Sequence, residues 1–157
     1  MKSLLKLAAL VALAFALSQL FGRPVKNNVG QTLPKLDVKY IGDAPALAGK
    51  PMILEFWATW CPPCRESIPH LNDVYKQYKA KGLEIVGVTK EDAAVVTAFT
   101  KSVPINYHVA LDPAATLAAQ FGIISIPHAM LVDKAGKIVW EGHPMTLQPA
   151  DIESVLK

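Results

Sequence analysis

An α/β fold, with a mixed central sheet and helices on both of its faces, follows from three features of this 157-residue sequence. From residue 51 onward, apolar runs of strand length alternate with stretches of helical periodicity. The first of those runs, Pro51 to Ala58, is broken only by Glu55, the pattern of a strand buried on both faces. Nearer the C-terminus, two apolar segments are joined by the turn sequence Asp133-Lys134-Ala135-Gly136, which makes them an antiparallel pair.

Composition supports one well-filled domain. Hydrophobic residues make up 52% of the chain and charged residues 18%, so a core forms without disulfide staples. The formal charge of +3 is concentrated at the N-terminus. Setting aside Lys2, Lys6, Arg23 and Lys26, the remaining 12 basic residues face 13 acidic ones, which leaves no basic field for nucleic acid.

Residues 1–21 read as a signal peptide or an N-terminal membrane anchor. Lys2 and Lys6 precede an uncharged apolar run from Leu7 to Phe21, whose 15 residues extend about 22 Å as a helix, short of the roughly 30 Å hydrocarbon core. Ala14-Phe15-Ala16 offers a cleavage site, whereas counting from Leu4 with Lys6 snorkelling gives 18 residues, enough for an uncleaved anchor. Either outcome carries the domain out of the cytosol, where disulfide chemistry is possible. No cysteine lies in or just after this segment, which excludes lipid attachment through an N-terminal cysteine.

Residues 22–35, with Gly22, Pro24, Asn27, Asn28, Gly30 and Pro34, have the composition of a linker. A short strand is expected at Leu36 to Tyr40, then the buried strand at Pro51 to Ala58. Ile68, Leu71, Val74, Tyr75 and Tyr78 form one apolar face of a helix that starts near Cys61, is kinked by Pro69 and closes at Gly82. Leu83 to Val88 follows as a strand, Glu91 to Lys101 as a helix and Asn106 to Leu111 as a strand. Asp112 and Pro113 are expected to cap and open a third helix. Ile126 to Val132 and Lys137 to Glu141 are the paired strands, and Pro149, Ile152, Val155 and Leu156 mark a terminal helix.

The chemistry is concentrated in Trp60-Cys61-Pro62-Pro63-Cys64, which holds the only two cysteines of the chain. A bridge across two intervening residues restrains the unfolded chain very little, so a purely structural role is weak. At the first turn of a helix, by contrast, unpaired N–H groups and the helix dipole stabilise a thiolate, and Cys61 is placed to be it. Pro62 and Pro63 suit the first helical positions, which need no N–H. Trp57 and Trp140 read as core. His70, His108 and His143 have no metal-site spacing.

The turn Phe56-Trp57-Ala58-Thr59-Trp60-Cys61-Pro62-Pro63-Cys64-Arg65, with Ile126-Pro127 opening a strand 63 residues after Cys64, resembles the thioredoxin superfamily. The export segment, the Pro-Pro dipeptide and the extra helix and strand between Glu91 and Leu111 are similar to its TlpA-like extracytoplasmic thiol-disulfide oxidoreductases. The resemblance spans about residues 34–157 and implies a thioredoxin-like domain over 36–157. It implies Cys61 and Cys64 as catalytic dithiol, with Glu55 as the buried acid that exchanges a proton with Cys64. Pro127 would be cis beside the dithiol, with Ile126 free to pair with substrate. Trp60, which adjoins Cys61 in the sequence, would shield the dithiol or contact substrate. Pro62 and Pro63 would tune the pair. His128 departs from the family, which frequently has a threonine after this proline; so close to a thiolate it would tune the pair as well, with an equal claim for its side chain to point away. Where many TlpA-like proteins carry an acid three residues after the second cysteine, this chain has Ser67, with Glu66 turned about 100° away.

The implied function is reduction of protein disulfides outside the cytosol, in the periplasm, for instance of apocytochrome or metal-site cysteines during cytochrome c maturation. No metal or organic cofactor is expected; a membrane thiol-disulfide carrier would supply electrons, and the protein would be a monomer, soluble or anchored through residues 4–21. Two other uses of the cysteines compete with this one. A thiol peroxidase needs Pro-x-x-x-Thr/Ser-x-x-Cys, but Leu54 and Ala58 precede Cys61, and Trp57 and Cys61 precede Cys64. A Cu(I)-carrying module would need only the two thiolates, and a closed zinc site would need more ligands than the cysteines offer.

Overall fold

The computed structural model describes residues 26–157. The expected signal or anchor segment and the start of the linker lie outside them. Six strands form one sheet: β1 (Lys39–Ile41), β2 (Met52–Phe56), β3 (Glu84–Thr89), β4 (His108–Leu111), β5 (His128–Val132) and β6 (Ile138–Gly142). Their order is β1-β4-β3-β2-β5-β6, with β2, β3 and β4 parallel and β1, β5 and β6 each antiparallel to a neighbour. The parallel strands are linked by α1 (Pro62–Tyr78) and α2 (Ala93–Thr100), while α3 (Thr116–Phe121) precedes β5 and α4 (Pro149–Leu156) ends the fold.

Strand alternation divides the interior. Ile53, Ile85 and Leu131 face Leu71, Val74, Tyr75 and Tyr78 of α1 and Ile152 and Val155 of α4. Met52, Leu54, Phe56, Val86, Val88 and Met130 face Leu117 and Phe121 of α3. A third cluster joins Cys61, Cys64 and Ile68 to Trp57, Val96 of α2 and Val109. Glu55 shares the Ile53 face and lies in register with Gly87 on β3 and Ala129 on β5, the smallest side chains of that layer.

Helix α1 runs unbroken through Pro69 and tightens into a 3₁₀ turn at Lys79–Lys81, closed by Gly82 at φ 99°. One expectation needs correction. The third helix starts at Thr116, not after Asp112, because Ala115 adopts a left-handed φ of 53° and ends a separate turn. Asp112 still caps the helix from a distance, as its Oδ2 accepts the Leu117 N–H at 2.8 Å. The described part of the expected linker is docked on β6: Gly30 N–H donates to Ile138 O at 2.7 Å, Ile138 N–H to Gln31 O at 2.9 Å and Leu33 N–H to Gly136 O at 2.8 Å. Fully buried Asn28 anchors it, donating from Nδ2 to Phe121 O and to Glu141 Oε2. No helix among the described residues is long and apolar enough to cross a membrane.

Candidate active site

The carboxyl end of β2 delivers the chain through Trp57-Ala58-Thr59-Trp60 to the N-terminus of α1. Cys61 is the N-cap residue, with extended backbone at φ −90° and ψ 107°. Pro62 and Pro63 fill the next two positions and carry no N–H, so Cys64 is the first residue able to donate; its N–H meets Cys61 Sγ at 3.3 Å. The two cysteines form a disulfide with Cα atoms 5.3 Å apart. Cys61 keeps 3% exposure and Cys64 none, so reagent from solvent meets Cys61 first.

The loop before β5 closes over this pair. Its Ile126–Pro127 peptide is cis, and the Ile126 carbonyl oxygen lies 3.8 Å from Cys61 Sγ. Beside the disulfide runs a groove of about 240 Å³ whose lining includes Phe56, Trp60, Ala118, Ile123, Ile124 and Ile126. Trp60 at 62% and Ile124 at 84% are the most exposed large apolar side chains among the described residues. Exposed apolar rims of this kind mark places where apolar partners bind.

Beneath the disulfide, Glu55 is wholly buried and doubly hydrogen-bonded. Ser67 Oγ is 3.1 Å from Oε1, and the Tyr107 hydroxyl donates to Oε2 at 3.0 Å. Burial pushes the carboxyl up to about 7, against the opposing pull of the Tyr107 and Ser67 hydrogen bonds. Burial, with the Glu55 charge, also raises the Tyr107 phenol well above its ordinary value. Ser67 stands one helical turn after Cys64 and lies 2.8 Å from the Cys64 carbonyl oxygen, so a single hydroxyl separates the acid from the second cysteine's backbone.

His128, directly after Pro127, turns toward β6, where its Nε2 lies 3.3 Å from Glu141 Oε2. It makes no hydrogen bond to either cysteine among the described residues. Two contributors have no sequence expectation behind them, Tyr107, whose contact with Glu55 is described above, and Glu91; Ser67 stands out in the sequence only as the position where an acid is missing. The Glu91 carboxylate accepts the Thr59 N–H and the Thr59 hydroxyl, both at 2.6 Å, and so pins the loop that carries Trp60. A glutamate just past a strand, as at Glu91, was the only local signal, since its partner is 32 residues away. The other histidines are dispersed. His108 pairs with Glu84 and Tyr75 at the opposite end of the parallel strands, and His143 accepts the Met145 N–H. No group of three metal-ligating side chains occurs among the described residues.

Comparison with known proteins agrees with this geometry. The model of the AhpC/TSA family matches residues 29–141. The thiol-disulfide oxidoreductase ResA of Bacillus cereus is 33% identical over 137 residues, covering 83% of this chain and 79% of the relative. A Chlorobium tepidum protein named as the thiol:disulfide interchange protein DsbE superposes with a TM-score of 0.68 at 28% identity, over 82% of this chain and 98% of that one. A second thiol:disulfide interchange protein of Chlorobium tepidum reaches a TM-score of 0.58 at 30% identity, over 70% and 79% of the two chains.

Proposed function

The chain belongs to the AhpC/TSA family and is a thiol-disulfide oxidoreductase, and from that premise we propose that it reduces protein disulfides by dithiol exchange through Cys61 and Cys64. One observation carries the reading: Cys61 Sγ sits at a helix N-cap, receives the Cys64 N–H and lies 3.8 Å from the carbonyl oxygen of Ile126, a residue that lines the neighbouring groove. In the reduced state the same N–H and the helix dipole stabilise a Cys61 thiolate, the nucleophile. It attacks a substrate disulfide, a mixed disulfide forms, and one substrate sulfur leaves as a thiolate. Cys64 then gives its proton to Glu55 and attacks Cys61 Sγ, which releases the second substrate sulfur. A carboxyl held near 7 is matched to taking a thiol proton at neutral pH. Pro62 and Pro63 tune the pair by leaving Cys64 as the donor nearest the sulfur. Trp60 and Ile126 contact the substrate, with Pro127 shaping that loop. His128, paired with Glu141, is left outside the exchange.

The same reading places the protein outside the cytosol, in the periplasm, as a monomer that is soluble or held by residues 4–21. The uncharged apolar run from Leu7 to Phe21 supports this. Electrons come from a membrane thiol-disulfide carrier, the substrates are protein disulfides such as those of apocytochromes, and no cofactor takes part. Cys64→Ser is the direct test, because it removes the resolving thiol. The variant is expected to accumulate protein adducts linked through Cys61 that reducing agent releases, seen on non-reducing gels and by mass spectrometry. Absence of such adducts with every extracytoplasmic protein offered would reject the mechanism.

A further inference from the structure

Two hydroxyls hold Glu55, and they are not equivalent. The Tyr107 hydroxyl donates to Oε2 and has no second acceptor among the described residues. Ser67 Oγ lies within reach of both Glu55 Oε1 and the Cys64 carbonyl oxygen, at 3.1 and 2.8 Å. A serine hydroxyl carries one proton, so it serves one of these acceptors at a time and can accept a hydrogen bond in return.

We infer that Ser67 is a positioning residue of the dithiol reaction, whose hydroxyl keeps the exchangeable proton of Glu55 on Oε1 and turns between Glu55 and the Cys64 carbonyl as that proton comes and goes. The inference rests on the reading of Glu55 as the base for Cys64. With Glu55 ionised, Ser67 donates to Oε1 and Tyr107 to Oε2, so both oxygens are satisfied. After proton uptake the two oxygens differ. A proton on Oε2 would confront the Tyr107 hydroxyl and leave that buried donor without an acceptor, a costly arrangement. A proton on Oε1 is accepted by Ser67 Oγ, while the serine proton turns to the Cys64 carbonyl and nothing is left unpaired. The proton lost by Cys64 therefore resides on the oxygen that faces helix α1. The electron count is that of the exchange itself: the Cys61–Cys64 bond forms, the bond from Cys61 to substrate sulfur breaks, and the leaving thiolate takes the electron pair.

The surroundings isolate this unit. From α1, Ser67 meets Glu55 and also the carbonyl oxygen of Cys64 one turn before it; from the approach to β4, Tyr107 meets it; from β3 and β5 come Gly87 and Ala129, which carry nothing polar. In the oxidised protein no charged side chain among the described residues contributes to the state of the carboxyl, which is set by burial and by two hydroxyls, one of which is Ser67.

The test follows release of the second thionitrobenzoate in stopped flow when reduced protein meets dithiobis(nitrobenzoate), as a function of pH. Carboxyl carbon NMR of Glu55 in the reduced protein is measured in parallel. Ser67→Ala is expected to move both midpoints up by about one pH unit, because the ionised carboxylate loses a donor, and to slow release about tenfold below the midpoint. Ser67→Thr, which keeps the hydroxyl, is expected to restore the parental midpoint. Unmoved midpoints in Ser67→Ala would overturn the inference. Glu55→Gln separates the two levels: loss of the pH profile there, with Ser67→Ala unchanged, rejects only the role of Ser67. An unchanged profile in Glu55→Gln rejects the base and the inference together. Should Ser67→Thr be too crowded to fold, the NMR titration of Ser67→Ala decides alone.

Discussion

At the scale of single residues, Glu55 makes its cost visible in stability. Its carboxyl sits at about 7 in the folded protein against an ordinary value of 4.5. For an acid raised on folding, the favourable contribution is complete below 4.5, declines as the unfolded chain ionises, and is exhausted once pH passes about 7. The difference corresponds to about 3 kcal/mol. In the oxidised protein, stability minus that of Glu55→Gln is therefore expected to fall by about that amount between pH 4.5 and pH 7.5 and to be flat above it, measured by denaturant unfolding. A flat difference across the whole range would show that the carboxyl is not held protonated. Glu55 and the cysteines were legible in the sequence because each breaks or ends a local pattern: a charge inside an apolar strand, and two thiols at a strand-to-helix turn. Tyr107 and Glu91 were not, since the first meets Glu55 across 52 residues and the second meets Thr59 across 32. Such partners are assigned by the fold, not by neighbours in the chain.

At the scale of elements, the strands and helices that were read from periodicity recur in the structure with ends displaced by a few residues. The larger departures arise where a side chain caps from afar or the backbone leaves its usual region, as at Asp112 and Ala115. Register explains why β3 carries a glycine at its centre. Gly87 lies opposite Glu55, and a Cβ there would stand 2.9 Å from Trp57 Nε1 and 3.1 Å from Tyr107 Cε2, both buried ring atoms with little room to yield. Gly87→Ala is accordingly expected to destabilise the protein by about 1–3 kcal/mol through overpacking, despite the gain in strand propensity. Equilibrium denaturation checks this, and an unchanged or raised midpoint would show that the rings have space. The Trp57 indole N–H, buried without an acceptor among the described residues, accords with a pocket filled to its limit by carbon.

At the scale of the whole molecule, the segment from Asn28 to Leu33 is part of the sheet's edge, and Asn28 is its fastener. Its amide bonds Phe121 O at 3.1 Å and Glu141 Oε2 at 2.9 Å, while its N–H bonds Glu141 Oε1 at 2.8 Å. Asn28→Ala removes two of these three from a buried site and is expected to cost about 1–3 kcal/mol. Hydrogen exchange should quicken first at Gly30, Leu33 and Ile138; exchange unchanged at those amides would mean that the arm is held by its backbone alone. Composition gave only turn formers here, so nothing in the sequence separated a docked arm from a free linker. Were residues 4–21 kept as an anchor, the arm's position would limit how far the molecule can travel. Lys26 reaches Gln120 O, beside the Gly122 to Ile126 loop that borders the groove. Only six residues separate Phe21 from Asn28, a leash of at most about 25 Å at full extension. If the apolar run is retained in a bilayer, the tether joins the described fold at Lys26, beside the loop that borders the groove. The disulfide would then work at a nearly fixed altitude above the lipid.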